Sequence, residues 1–222
     1  MILQIEPLIY SFCMIFGTFG LSSITAYSIC SLFNQPFIHP KFTNEKIRER
    51  TTEMVLQLPI LLLESVGFVY ISYPTILSYS QHTWIQTVSA LVIQILLIEG
   101  NYYAYHRGIH SIFYKEVHKK HHENVVVYPF DTFYLTQLDD FALIISLGMP
   151  VFIYPITSVE QFLVLYLYIT TSYLSHSELF WKHHSIHHKY IFCNYCILFP
   201  IYDILFGTYK IDSSSSNNIK KI

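Results

Sequence analysis

The stretch from residue 8 to residue 33 constrains the fold more than any other part of the chain, because it contains no charged residue. A run of about 20 apolar residues is long enough to cross the hydrocarbon core of a bilayer as a helix. Residues 1–7 carry only Glu6 and lack the basic residues that begin a cleavable signal peptide. The sequence therefore predicts a retained first membrane-spanning helix.

Further apolar runs follow. Residues 54–80 and 84–105 each contain a single charged residue and predict a helical hairpin. Residues 141–154 and 159–175 form two shorter arms, which predict a re-entrant or tilted hairpin. Only 13% of the chain is charged, against roughly 25% in soluble domains. We therefore expect an all-α integral membrane protein with about four transmembrane helices and a cytosolic histidine-rich helical cap.

The basic residues give the expected orientation. All 13 Lys and Arg residues fall on the predicted side that also carries the histidine clusters. The opposite side, formed by residues 1–7, 81–83 and 155–158, has none. Because basic loops stay in the cytoplasm, the histidines are predicted to face the cytosol. The net charge of −2 gives no indication of nucleic-acid binding.

The histidines carry the predicted chemistry. All but His39 and His82, which are expected to be loop residues, lie in three boxes or at His176. The boxes are residues 106–110, 118–122 and 183–188. Histidines three or four residues apart share one face of a helix and can point at one centre. Neutral imidazole binds zinc, copper, iron and nickel. The number of histidines exceeds the four ligands of a tetrahedral zinc site, so the sequence predicts two metals close together.

Several other residues are weaker candidates. His183 is either a ligand or an outer partner of His184. Carboxylates often accept the second N–H of metal-bound histidines, and the candidates for this role are Glu99, Glu123, Asp139, Asp140 and Asp203. Glu64 and Glu99 interrupt apolar runs, and carboxylates within membranes usually serve a function. Cys193 and Cys196 form a CxxC pair, which is either a zinc site or a structural feature.

The spacing of the histidines resembles a family motif. His106-x3-His110, His118-x2-His121-His122 and His184-x2-His187-His188 resemble the tripartite motif of the fatty acid hydroxylase/sterol desaturase superfamily. Within this superfamily, the chain most resembles the C-4 methylsterol oxidase branch. The residues that carry this resemblance are Glu123, His176-Ser177, His183 to His188, Asn194-Tyr195 and Asp203 to Thr208. The resemblance spans roughly residues 95–210. Where the family has a further histidine after the second box, this chain has Thr136 to Asp139.

The resemblance implies a division of the chain and a set of site residues. Residues 1–83 are expected to form N-terminal membrane helices and a basic cytosolic loop, residues 84–211 a fatty acid hydroxylase-like catalytic domain, and residues 212–222 a disordered polar tail. Glu123 and Asp139 are the implied catalytic carboxylates. The implied metal ligands are His106, His110, His118, His121, His122, His176, His184, His187 and His188.

The resemblance also implies an activity. It indicates a di-iron oxygenase of the endoplasmic reticulum membrane that uses two iron ions and O2, with NAD(P)H electrons arriving through a reductase and a cytochrome b-type carrier. The expected reaction is hydroxylation of the 4-methyl group of a sterol. The alternatives are a fatty-acyl or sphingolipid hydroxylase, a sterol desaturase, and a catalytically degenerate membrane metal-binding relative. The expected partners are a membrane lipid and an electron-transfer protein.

Overall fold

The computed structural model describes residues 5–76, 82–177, 179 and 182–211. Within these ranges the chain is helical and has no strand, which confirms the predicted all-α class. The helices are α1 (Ile5–Leu32), α2 (Asn44–Ser72), α3 (Trp84–Ile112), α4 (Gln137–Gly148), α5 (Pro150–Ile153), α6 (Ser158–Ser175), α7 (His183–Tyr190) and α8 (Ile201–Leu205). The tail predicted at 212–222 lies outside the described residues.

Three of the described helices are long and apolar enough to cross a membrane. They are α1, α2 together with the short turn that follows it, and α3. Their outward faces carry exposed apolar side chains such as Ile24, Leu63 and Val92. The two arms of the predicted second hairpin are α4, with 12 residues, and α6, with 18. A fourth crossing by this hairpin stays a prediction.

Helix α2 begins at Asn44, ten residues before the apolar run that the sequence predicts at 54–80. Thr43 caps its N-terminus, because the Thr43 side chain accepts a hydrogen bond from the backbone N–H of Lys46. Two turns later the buried guanidinium of Arg50 donates to Asp131 at 2.6 Å. These polar interactions extend the helix beyond its apolar part, so hydropathy alone places its start about ten residues too late.

The helices pack so that one end of the bundle carries the histidines. α1 packs against α2 and α6, α2 against α4, and α3 against α4 and α6. The C-terminal ends of α3 and α6 and the N-terminal end of α4 meet at this end of the bundle, where Asp139 in α4 contacts His118. The segment between α3 and α4, together with α7 and α8, covers the same end and brings all three boxes together.

Candidate metal centre

The first box lies at the C-terminal end of α3. His106 and His110 are one helical turn apart and therefore share a face of the helix. Both side chains are buried, with exposures of 0% and 7%, and their ring centroids are 5.0 Å apart. The spacing of four residues predicted this arrangement.

The second box lies on two tight turns instead of a regular α-helix. A π-helical turn spans Tyr114–His118, and a 3₁₀ turn spans His121–Glu123. The rings of the consecutive residues His121 and His122 are nearly perpendicular, with 87° between their planes. As a result, these two neighbours contribute to different groups of histidines.

The third box lies on α7, which presents His184, His187 and His188 to the interior. His176 at the C-terminus of α6 joins them, with its ring centroid 4.6 Å from that of His184. All four side chains are buried. The structure therefore brings together every histidine that the sequence predicts to be a ligand.

The nine histidines divide into two groups. Within each group the candidate ligand atoms lie within 4.8 Å of one another. The first group, the five-histidine group, is His106, His110, His118, His122 and His187. The second, the four-histidine group, is His121, His176, His184 and His188. This division supports two adjacent metal ions, one in each group.

The hydrogen bonds on the outer ring nitrogens fix the orientation of several rings. His106 Nδ1 donates to the carbonyl of Tyr195 at 2.7 Å, and His187 Nδ1 donates to that of Cys193 at 2.7 Å. His176 Nδ1 donates to the carbonyl of Ser172 at 2.8 Å. A carbonyl can only accept a hydrogen bond, so each Nδ1 carries the proton and each Nε2 of the neutral ring presents a lone pair.

Each of these Nε2 atoms faces the Nε2 atom of another histidine, which tests whether the residues fit a metal. His106 Nε2 lies 3.1 Å from His118 Nε2. The other ring nitrogen of His118, Nδ1, donates to Asp139 Oδ2 at 2.7 Å. His187 Nε2 lies 3.1 Å from His122 Nε2. Ligands about 2.1 Å from a metal and at right angles to one another are about 3.0 Å apart. The spacing therefore fits a bound cation, which would remove the repulsion between facing lone pairs.

The four-histidine group also contains buried ring nitrogens that could bind a metal. His184 and His188 are buried, and neither ring nitrogen of either residue has a hydrogen-bond partner. Buried polar atoms without partners are rare in native proteins. A metal ion would satisfy one nitrogen of each ring. Both groups of histidines thus fit metal binding.

Burial keeps these imidazoles in the neutral form that binds metals. Desolvation lowers the pKa of His122 to about 3 and that of His176 to about 4. Desolvation, followed by repulsion from neighbouring imidazoles, also holds the pKa values of His118, His121 and His184 well below the usual range. No competing proton has to be displaced at neutral pH before a metal binds.

Two buried carboxylates bind the backbone of the loop beside the histidines and contact no histidine ring. Asp203 accepts hydrogen bonds from the backbone N–H groups of Tyr195 and Cys196, each at 2.8 Å. Glu99 accepts from the next N–H groups along the chain, those of Ile197 and Leu198. They fix the loop whose carbonyls orient His106 and His187. Of the five carboxylates predicted to back a histidine, only Asp139 contacts a ring nitrogen in the described part of the chain.

The carbonyls of Cys193 and Tyr195 are functional groups that the sequence analysis did not identify. A backbone carbonyl has no sequence signature of its own. The available signal is Asn194 between them, which adopts a left-handed conformation with φ of 57°, a region that asparagine enters more readily than most residues. Its side-chain amide donates to the carbonyls of His183 and Lys210 and holds the loop closed.

The remaining candidates lie outside the two groups. His183 belongs to neither group, and its Nε2 contacts the carbonyl of Cys196 at 3.1 Å; a role as an outer partner of His184 stays a prediction. Glu123 lies in a turn, partly exposed, and pairs with Lys46 at 2.8 Å and Arg50 at 3.2 Å. Cys193 and Cys196 are both buried free cysteines and belong to neither group.

The fold and the site define a membrane-helical protein with two converging groups of buried histidines. A family model described as fatty acid hydroxylase matches residues 91–208. Because this match covers more than half of the chain, the chain belongs to the fatty acid hydroxylase family. The predicted resemblance to the fatty acid hydroxylase/sterol desaturase superfamily is thereby confirmed.

Several curated proteins are similar along most of the chain. The lathosterol oxidase of Mus musculus is 24% identical over 88% of this chain and 74% of its own length. The Delta(7)-sterol 5(6)-desaturase of Eremothecium gossypii is 23% identical over 93% of this chain and 64% of its own length. The lathosterol oxidase of Homo sapiens is 23% identical, with coverage of 85% and 72%. No solved structure matches the chain with significance.

Proposed function

We propose that this protein is a di-iron oxidoreductase of the membrane that oxidises a C–H bond of a sterol. The observation that carries the proposal is the convergence of nine buried imidazoles into two adjacent groups with facing lone pairs. Imidazole ligands suit iron, and five ligand atoms in one group exceed the four of a tetrahedral zinc site. Bound iron would supply the activation of O2 that breaking an unactivated C–H bond requires.

The protein's own residues have separate roles in this proposal. The nine histidines hold the metals, and Asp139 orients His118 by accepting its Nδ1–H. Glu123 anchors the second box against α2 through Lys46 and Arg50. The apolar helices exclude water from the centre and allow a lipid to enter from the bilayer.

Electrons would come from NAD(P)H through a reductase and a cytochrome b-type carrier. A concave surface beside His122 is lined by Lys115, Lys119 and Lys120 and also by Glu116 and Glu123. Lys120 is paired with Glu53 and Glu123 with Lys46, so Lys115 and Lys119 are the basic residues that support this route. Basic side chains attract an acidic carrier and raise the rate of encounter. The distribution of the 13 basic residues supports a cytosolic position for this surface in the endoplasmic reticulum membrane.

Two reactions on a sterol are supported by different observations. The motifs from His183 to Thr208 resemble the C-4 methylsterol oxidase branch and favour oxidation of a 4-methyl group. The similarity to the Delta(7)-sterol 5(6)-desaturase of Eremothecium gossypii favours ring desaturation. Both reactions use the same metals, the same electrons and the same class of lipid, so product analysis distinguishes them.

The test is reconstitution of the purified protein in lipid vesicles with iron, NADPH, a reductase and a cytochrome b-type carrier. A 4-methylsterol and lathosterol are supplied separately, and the products are identified by mass spectrometry. Oxygen added to the 4-methyl group supports the first reaction, and loss of two hydrogens from the ring supports the second. His187→Ala should abolish either product, whereas His39→Ala, in a loop away from both groups, should not. No sterol product from protein loaded with iron would contradict the proposal.

A further inference from the structure

A stripe of five positions runs along the outward face of α3. Val88, Val92, Leu96, Gly100 and Tyr103 recur every three or four residues, so they share one face of the helix. The side chains of Val88, Val92 and Leu96 are exposed, as expected for the lipid-facing side of a membrane-spanning helix. Tyr103 is only 4% exposed. Protein therefore covers the C-terminal part of the stripe, whereas its N-terminal part faces outward.

Helix α8 covers that C-terminal part. The hydroxyl of Tyr202 donates to the carbonyl of Leu96 at 2.9 Å, and the ring of Phe206 stacks on that of Tyr103 with 5.2 Å between the centroids. A Cβ atom at Gly100 would lie only 3.0 Å from the Tyr202 hydroxyl, so the glycine allows this close approach. Helix α8 thus occupies a place along α3 that lipid would otherwise fill.

The position of α8 along α3 gives its depth in a bilayer. Helix α3 begins at Trp84, and tryptophan is enriched where membrane meets water. At about 1.5 Å per residue, Leu96 lies about 18 Å and Tyr103 about 28 Å from this end of the helix. The hydrocarbon core of a bilayer is about 30 Å thick. Helix α8 therefore lies beside the last third of the span, at the depth of the acyl chains.

The outer side of α8 is apolar. Ile201, Ile204 and Leu205 are spaced three and four residues apart and share one face. Ile204 and Leu205 are 62% and 68% exposed, and Ile201 is also exposed. Asp203, between them in sequence, is fully buried. Contiguous exposed apolar side chains indicate contact with a membrane or another protein.

The charges around this segment favour a membrane. Within residues 190–209 the only charged residue is Asp203, and Lys189 and Lys210 flank the segment. The Nζ atoms of these lysines lie 5.1 and 3.4 Å from the centroid of the Tyr190 ring, so the segment starts and ends at the same place. Lysine and tyrosine are typical of the level of the lipid head groups.

The backbone of the segment also suits an environment without water. The buried carboxylates of Asp203 and Glu99 accept the N–H groups of residues 195–198. The N–H groups of residues 206–209 bond to the carbonyls of residues 202–204. Irregular backbone at membrane depth requires partners of this kind within the protein.

We propose that α8 inserts into the acyl chains of the bilayer that the protein spans, through the outward side chains of Ile201, Ile204 and Leu205. Lipid is the occupant that the structure favours over a second copy of the chain, because this surface continues the lipid-facing side of α3. The surface is additional to the three long apolar helices. It does not depend on the reaction that the protein catalyses.

Insertion of α8 would connect the bilayer to the histidines. Asp203, on the inner side of α8, accepts the N–H of Tyr195. The carbonyl of Tyr195 in turn accepts from Nδ1 of His106. The lipid that holds α8 in place therefore also holds the loop that orients one member of the five-histidine group.

The test measures the depth of labelled side chains in the full-length protein. Cys13→Ser removes the exposed cysteine, and the three remaining cysteines are buried. Leu205→Cys, Val92→Cys or Glu45→Cys is then added, and the new thiol is labelled with a nitrobenzoxadiazole iodoacetamide. The label's emission is compared between phosphatidylcholine vesicles with and without a nitroxide in the acyl chain, and with iodide in the water.

The two reference positions bracket the expected result. Val92 lies on the outward face of α3, and Glu45 is an exposed residue at the polar start of α2. The labels at residues 205 and 92 should each lose about half of their emission to the acyl nitroxide, because both lie among acyl chains. The label at residue 45 should be quenched by iodide and lose little to the nitroxide.

A second site and a blank keep the result interpretable. Cys13→Ser alone should take up little label. Ile204→Cys, on the same face, should behave as Leu205→Cys does, and size-exclusion elution identifies a misfolded variant. Quenching at residues 204 and 205 by iodide alone would overturn the proposal, because the surface would then face water. Protection from both quenchers would overturn it too, because another protein surface would then cover α8.

Discussion

His118 donates through Nδ1 to Oδ2 of Asp139 at 2.7 Å. This bond connects the second histidine box to the first turn of α4 and turns the lone pair of His118 Nε2 toward His106. In metal centres such a carboxylate fixes the ring and raises its basicity as a ligand. Asp139 is therefore positioned to affect metal affinity without contacting the metal.

Replacement of Asp139 tests this relationship. Asp139→Ala should lower the iron affinity of the protein by about 10–100-fold, because His118 loses the group that orients it. Asp139→Asn should fall between this variant and the unmodified protein. Iron content is measured by elemental analysis after dialysis against a graded chelator, with Glu45→Ala as the control. Unchanged iron retention in Asp139→Ala would show that the ring is held by other contacts.

The consecutive residues His183 and His184 provide a matched pair of variants. His184 belongs to the four-histidine group, whereas His183 contacts the carbonyl of Cys196 outside both groups. We expect His184→Ala to lose one of two bound irons and His183→Ala to retain both. Mössbauer spectroscopy of iron-loaded protein distinguishes a pair from a single ion. Equal losses in the two variants would contradict the division into ligand and outer residue.

Asp203 should be a residue on which stability depends. It is fully buried and accepts hydrogen bonds from two backbone N–H groups and from the hydroxyl of Thr208. Hydrogen bonds to charged groups contribute roughly 1.5–3 kcal/mol each. Asp203→Ala is expected to lower the free energy of unfolding by about 3 kcal/mol or more. The readout is the thermal unfolding temperature in detergent, and a change within the error of the unmodified protein would refute the assignment.

The ion pair of Arg50 and Asp131 gives a double-mutant test. Both side chains are buried, with exposures of 1% and 3%, and the pair distance is 2.6 Å. Arg50→Leu removes the cation that compensates Asp131, and we expect a destabilisation of about 3–5 kcal/mol. Arg50→Leu combined with Asp131→Leu should recover much of this loss, as measured by thermal unfolding. A double variant less stable than Arg50→Leu alone would contradict this expectation and show that Asp131 is stabilised by other partners, such as Asn124.

The amino-acid sequence alone determined the class of the protein and the type of its site. The uncharged run at residues 8–33 predicted a helix that could cross a bilayer, and α1 is long and apolar enough to do so. The spacing of His106 and His110 determined that both rings share one face of a helix. Such features are local, so they depend on neighbouring residues and not on how the helices pack.

The tertiary structure alone decided how the boxes combine. His121 and His122 are adjacent in sequence, yet they join His176 and His187 respectively, because a 3₁₀ turn separates their directions. The same holds for Asp139 and Asp140, of which the first orients His118 and the second lines a cavity. These assignments depend on contacts between residues far apart in the chain. Local sequence does not encode them, because only the packing of the complete bundle brings those residues together.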